Sequence, residues 1–101
     1  QMVQPPNYAL YQNFPNPFNP TTEIRFALKD NSQVDLAIFN IKGQRIKQLV
    51  NHSMDYGYHK AVWNGVDSNG KRVGSGIYFY ILNVKSDKES YREIKKMIMV
   101  K

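Results

Sequence analysis

From Thr21 onward, hydrophobic side chains recur at every second position, in short runs separated by turn residues. Ile24, Phe26 and Leu28 alternate with Glu23, Arg25 and Ala27, the pattern of a half-buried strand. Asp30-Asn31-Ser32 reads as a turn, after which Val34, Leu36 and Ile38 alternate with Asp35 and Ala37 in a second strand. Asn40 to Gln44 forms a tight connection in which Gly43 supplies the positive φ that hairpin turns need. A third strand is expected over about Arg45–Val50, then a loop from Asn51 to Tyr56. Gly57 opens a fourth strand, with His59, Ala61 and Trp63 sharing a face. After the turn-rich stretch Asn64–Gly76 comes a fifth strand, Ile77 to Val84. Both of its faces are apolar, which predicts a central strand buried on both sides or nearly so. Ser86–Ser90 is a polar hairpin tip, and a last strand runs from about Tyr91 to Val100. No helix-period segment of useful length occurs. Short strands punctuated by turns at this spacing predict an all-β chain, an antiparallel β-sandwich of about seven strands.

The first twenty residues break the pattern. Pro5, Pro6, Pro15, Pro17 and Pro20 are all the prolines of the chain. Each fixes φ, lacks a donor and pushes its predecessor toward extended backbone, so the segment should be extended, with turns at Asn16-Pro17 and Asn19-Pro20. Residues 1–7 read as a linker from an upstream domain, and 8–101 as the folded domain. Tyr8, Leu10, Tyr11, Phe14 and Phe18 are too apolar for a free linker and are expected to pack along the edge of that domain.

Composition removes several functional classes. The chain has 101 residues and no cysteine, which leaves no disulfide scaffold, thiolate metal site or cysteine nucleophile. No apolar run approaches the roughly 18–20 residues of a membrane-spanning helix. The start Gln1-Met2-Val3-Gln4-Pro5-Pro6 lacks the basic and apolar regions of a signal peptide, so an export signal would lie upstream. The net charge of +6 raises the question of nucleic acid. The cations are spread along the chain and mixed with acids, whereas a phosphate-binding surface clusters them. The exception is the end, where Lys95, Lys96 and Lys101 flank an apolar run.

Reactive groups are few. His52 lies in an expected loop and His59 beside tryptophan on a strand, the setting of a packing residue. No Gly-x-Ser-x-Gly, His-Glu-x-x-His or phosphate-loop pattern occurs. These features predict no enzyme, no cofactor and no small-molecule substrate. Asp67-Ser68-Asn69-Gly70 could suggest a calcium loop, but Lys71 and Arg72 follow where further acidic ligands would be needed. An Asx-type turn is the better reading, and no metal is expected. Tyr56, Tyr58, Trp63, Tyr78 and Tyr80 could form a sugar-stacking face, as in an accessory carbohydrate-binding module. A single tryptophan in a sandwich, however, is usually core.

The stretch Tyr11-Gln12-Asn13-Phe14-Pro15-Asn16-Pro17-Phe18-Asn19-Pro20-Thr21-Thr22-Glu23-Ile24-Arg25-Phe26 resembles the opening of the type A C-terminal sorting domains of type IX secretion. Phe39–Gln44, Gly57–Gly65, Asp67–Gly70 with Ser75–Tyr80, and Lys96–Lys101 resemble that family's later segments, in order. The resemblance covers about residues 8–101 and is carried at Pro15, Asn16, Pro17, Phe18, Gly43, Trp63, Gly65, Gly76 and Tyr78. Asn64 stands where the family often has aspartate, which weakens a metal or acidic role there and leaves a turn role intact. The resemblance implies an immunoglobulin-like sandwich that directs an upstream cargo domain of the same polypeptide out of the cell. The implied route runs through the periplasm, where the folded domain meets the outer-membrane translocon, to the cell surface or medium. A surface sortase commonly removes the domain there. A related fold, the immunoglobulin-like domain of the flagellar hook-capping protein, implies a structural assembly module as the alternative. A sorting tag must be readable while folded. Lys96, Met97, Ile98, Met99, Val100 and Lys101 are therefore the candidate recognition element, open to strand addition if the last strand is an edge; the equal alternative is that this strand only completes the sandwich, and the two roles are compatible. No nucleic-acid partner is implied.

Overall fold

The computed structural model describes residues 3–101. Seven strands form in chain order: β1 (Ala9–Leu10), β2 (Thr22–Leu28), β3 (Ser32–Asn40), β4 (Arg45–Met54), β5 (Gly57–Trp63), β6 (Gly76–Lys85) and β7 (Ser90–Met99). They make a three-stranded sheet in the order β1-β2-β5 and a four-stranded sheet in the order β4-β3-β6-β7, with every strand pair antiparallel. The described residues contain no helix. This is the antiparallel β-sandwich that the alternation of the sequence predicts, with the immunoglobulin-like arrangement that the resemblance implies.

The alternation explains the core. Ile24, Phe26 and Leu28 of β2 face Val34, Leu36 and Ile38 of β3 and Tyr80, Leu82 and Val84 of β6, all buried. A period of two sends these side chains inward from both sheets and their neighbours outward. Among the turns, Gly43 sits at φ 80° between β3 and β4, a conformation open to glycine at little cost.

Three expectations change. The segment Asn51–Met54 continues β4 rather than forming a loop. It pairs with β3 at Ser32–Asp35, and its polar side chains suit an edge strand with one face in water. Strand β6 is central, between β3 and β7, but it is not buried on both faces. Tyr78, Tyr80, Leu82 and Val84 point into the core, whereas Ile77 is 43% exposed and Phe79 and Ile81 are half-buried on the outer face. The opening segment is also more deeply integrated than an edge covering. Tyr8, Leu10 and Phe18 belong to the core cluster, while Tyr11 and Phe14 are exposed, Phe14 by 79%.

The sandwich is elongated, 39 × 24 × 20 Å. Gln4 lies at one pole, donating from Nε2 to the Lys29 carbonyl beside the β2–β3 turn. Pro5 is buried nearby, so the expected linker is docked at residues 4 and 5, while its residues 1 and 2 lie outside the described residues. From there the chain runs the length of the domain to the other pole. That second pole collects the β3–β4 hairpin, the end of β5, the start of β6 and the end of β7.

Candidate functional site: a clasp between the proline-rich opening and the last strand

Proline dictates how residues 13–20 behave. Pro15, Pro17 and Pro20 offer no N–H, so the segment cannot form a regular ladder. It holds on at single points instead. Phe14 exchanges two backbone hydrogen bonds with Glu23, each 2.9 Å. The buried Asn13 donates from Nδ2 to Thr22 Oγ1 (3.0 Å) and to the Pro15 carbonyl (3.2 Å), and Thr22 Oγ1 donates to the same carbonyl (2.8 Å). Tyr80 reaches across the core from β6: its hydroxyl donates to the Tyr11 carbonyl and accepts from the Asn13 N–H, both at 2.8 Å. Burial pushes the Tyr80 phenol up to about 12, with the Asn13 amide pulling weakly the other way.

The same segment then closes over the last strand. The Phe18 N–H donates to the Ile98 carbonyl (3.0 Å), and the Val100 N–H donates to the Phe18 carbonyl (2.9 Å). The Ile98 N–H donates to Asn16 Oδ1 (3.0 Å), and Gln12 Nε2 donates to the Lys96 carbonyl (2.7 Å). The outward backbone groups of β7 from Lys96 to Val100 are thus occupied by this chain's own opening segment. Strand β7 is an edge of its sheet, and strand addition along that stretch would require the clasp to open.

Beneath the clasp lies an aromatic stack. Phe18 meets Trp63 with centroids 5.7 Å apart, and Trp63 meets Tyr78 edge-on at 5.4 Å and 70°. Their polar tips are satisfied locally: Trp63 Nε1 donates to the Val66 carbonyl (2.8 Å), and the Tyr78 hydroxyl donates to the Gly74 carbonyl (2.6 Å). Gly65, at φ 75°, completes the packing. A Cβ there would stand 2.8 Å from Met99 Cε and 3.0 Å from the Pro20 carbonyl oxygen.

Phe18, Trp63, Gly65 and Tyr78, far apart in sequence, therefore form one packed unit with Met99. Pro15, Asn16, Pro17, Gly43 and Gly76 shape the surrounding turns at the same pole, Gly76 pairing with Met99. Of the candidate recognition residues, Met97 and Met99 are core, at 0% and 5% exposure, while Lys96, Ile98, Val100 and Lys101 face solvent. Asn13, Thr22, Tyr80 and Gln12 complete the clasp, a role that their place in the family-like stretches and on a strand does not reveal. A threonine at an inward position of an otherwise apolar alternation was the one available signal.

The remaining candidates resolve into structural roles. His59 stacks on Phe26 at 5.6 Å, and its Nε2–H donates to the Asp55 carbonyl. Asp67 Oδ1 accepts from the Asn69 and Lys71 N–H groups, the geometry of an Asx turn. No group of three or more potential metal ligands forms among the described residues. Trp63, Tyr78 and Tyr80 are buried, so the five aromatics do not form a flat stacking platform. Glu23 is held below the usual carboxylate range, chiefly by its hydrogen bond from Arg25, and Glu93 likewise by the Tyr91 hydroxyl.

Solved structures share this sandwich. Dimeric latent PorU from Porphyromonas gingivalis superposes at a TM-score of 0.74 and 24% identity, over 88% of this chain and 9% of its own. FlgD from P. aeruginosa superposes at 0.64 and 20% identity, over 77% of this chain and 61% of its own. PorZ, an essential surface component of the type IX secretion system of P. gingivalis, gives 0.57 and 19% identity, over 93% and 11%. The chain thus spans about a tenth of PorU and of PorZ, and at these identities the likeness defines the fold class. No curated protein sequence matches the chain. The CHU_C type IX secretion signal domain matches residues 10–100, and the chain belongs to that family. It is a sorting signal that directs an attached cargo out of the cell through the type IX machinery.

Proposed function

We propose that residues 8–101 are the folded sorting unit, and that residues 1–7 join it to a cargo on the N-terminal side. The domain is recognised in the periplasm by the outer-membrane translocon, and a surface sortase acts on it afterwards. It performs no catalysis itself. The recognition element is the clasped pole: Lys96, Ile98, Val100 and Lys101 on the outside, held in place by Met97 and Met99 beneath. The observation that carries this reading is the pairing of Phe18 with Ile98 and Val100. That pairing fixes the exposed end of the chain against the proline-rich opening, at the pole opposite Gln4. A cargo joined ahead of Gln4 would then leave this pole free for docking. Lys96 and Lys101 bracket the apolar positions and would orient a partner more than they tighten it.

The test is a periplasmic reporter fused ahead of residues 8–101, in a host with a type IX system. The intact fusion should reach the surface or medium. Lys96→Ala with Lys101→Ala should fold normally and remain in the periplasm. Normal export of that double variant would move recognition away from the charged terminus. Retention of the intact fusion would remove the export reading for this chain.

A further inference from the structure

The outer faces of the two sheets differ in kind. On the three-stranded sheet, Glu23 lies between Arg25 and Lys60 in an ion-pair cluster, and Lys60 separates the exposed Tyr58 and Val62, so no continuous apolar patch forms. On the four-stranded sheet the outward positions carry Phe39, Ile77, Phe79, Ile81, Ile94 and Ile98. Register sets Phe39 beside Phe79, Ile81 beside Ile94 and Ile77 beside Ile98, so the six form one continuous patch. A shallow groove of about 560 Å³ runs over it between Phe39 and Ile94. None of these side chains serves the core, which lies on the other side of the sheet. A contiguous apolar patch of this kind on a small domain marks an interaction surface.

The charges on the same face indicate the occupant. By strand parity Arg45, Lys85, Arg92 and Lys96 also lie outward, against the single carboxylate of Asp35. That carboxylate is already engaged by Gln48 Nε2 at 2.9 Å and Arg45 at 3.9 Å. A second copy of this face would bring like charges together around the apolar centre. A protein surface that is apolar at its centre and rimmed by carboxylates complements it.

We propose that the outer face of the four-stranded sheet docks such an acidic-rimmed protein of the secretion machinery, with Phe79, Ile81 and Ile94 as the apolar anchor and Arg45 and Arg92 as the steering rim. This rests on the export reading above and deepens it. Lys96 and Ile98 belong both to this face and to the clasped pole, so the two surfaces are continuous.

The test uses the whole chain fused behind a reporter, in two double variants: Phe79→Ser with Ile94→Ser, and Arg45→Glu with Arg92→Glu. A photo-cross-linking residue is placed at Ile77 or, on the opposite sheet, at Val62. Circular dichroism and melting identify the variants that still fold. Should the apolar variant unfold, the arginine variant, altered only at exposed side chains, decides alone. The expected result is a wild-type fusion that is exported and folded variants whose export falls at least tenfold. Position 77 should cross-link to one envelope protein, and that product should be lost in the arginine variant. Wild-type export by folded variants, or cross-linking from position 62 alone, overturns the proposal while leaving the export reading intact. A sedimenting dimer abolished by Phe79→Ser would install a second copy as the occupant and also overturn it. So would binding to phosphatidylglycerol vesicles that is lost in the arginine variant. If the wild-type fusion itself is retained, the export reading falls and this proposal falls with it.

Discussion

Trp63 has no exposed surface and touches both Phe18 and Tyr78, so it ties the opening segment to both sheets. Trp63→Ala should cost about 3–5 kcal/mol, since little around it can collapse into the space; denaturant unfolding measures this, and a cost under about 1 kcal/mol would contradict the packing. Tyr80→Phe removes one hydroxyl but strands the buried Asn13 N–H and the Tyr11 carbonyl, an expected loss of about 1–3 kcal/mol. The same residue sets an alkaline limit. Tyr80 ionises at about 12 in the fold against 10.0 for a free phenol, and Tyr91 behaves likewise. The unfolded chain therefore loses these protons first, and their contribution is fully present below pH 10 and lost as pH rises through 12. Melting temperature should fall across that window, and less steeply in Tyr80→Phe. At these residues the sequence is legible only in part. Trp63 was legible as core because it is the single tryptophan of a sandwich. Phe14 and Phe18 carry the same side chain in the same proline-rich stretch, and only the three-dimensional path decides that one is exposed and the other buried. Tyr80 was legible as strand; the partners of its hydroxyl, nearly seventy residues back, leave no local trace.

At the level of elements, alternation predicted β2, β3, β5, β6 and β7 well, because each of these has one face on the core. It missed the second half of β4, where an edge strand bearing Asn51, His52 and Ser53 needs no apolar side chains to pair with β3. It missed β1, whose two residues are too few for any period. On β6 it read two apolar faces as double burial, whereas one of them is an exposed patch. The clasp on β7 yields a sharper expectation. Asn16→Ala leaves the Ile98 N–H without its acceptor, and a lost hydrogen bond of about 1 kcal/mol should speed opening of that edge roughly fivefold. Hydrogen exchange at the Ile98 amide should accelerate by that factor, while the amides of β3, paired on both sides, stay protected. Unchanged exchange at Ile98 would mean that the asparagine does not hold the edge.

For the whole molecule, an all-β architecture predicts a circular dichroism spectrum dominated by strand, and a helical spectrum would refute it. The pairing of β2 with β5, of β3 with β6 and of residue 18 with residue 98 makes the fold rich in distant contacts, so folding should take milliseconds to seconds rather than microseconds. Stopped-flow refolding monitored by Trp63 fluorescence reports on this directly, because that side chain is buried only when the opening segment and both sheets have met. The clasp also carries a meaning for synthesis. A ribosome delivers Phe18 long before Val100, so the opening segment waits for its backbone partner until the final strand has been made. A product interrupted before Met97 lacks the side chains that fill the pole and the edge that Phe18 grips. Such a fragment cannot present the finished surface, whatever cargo it carries. Any machinery that reads the folded pole therefore admits only polypeptides whose translation has passed Val100, and the tag doubles as a check that β7 has been made.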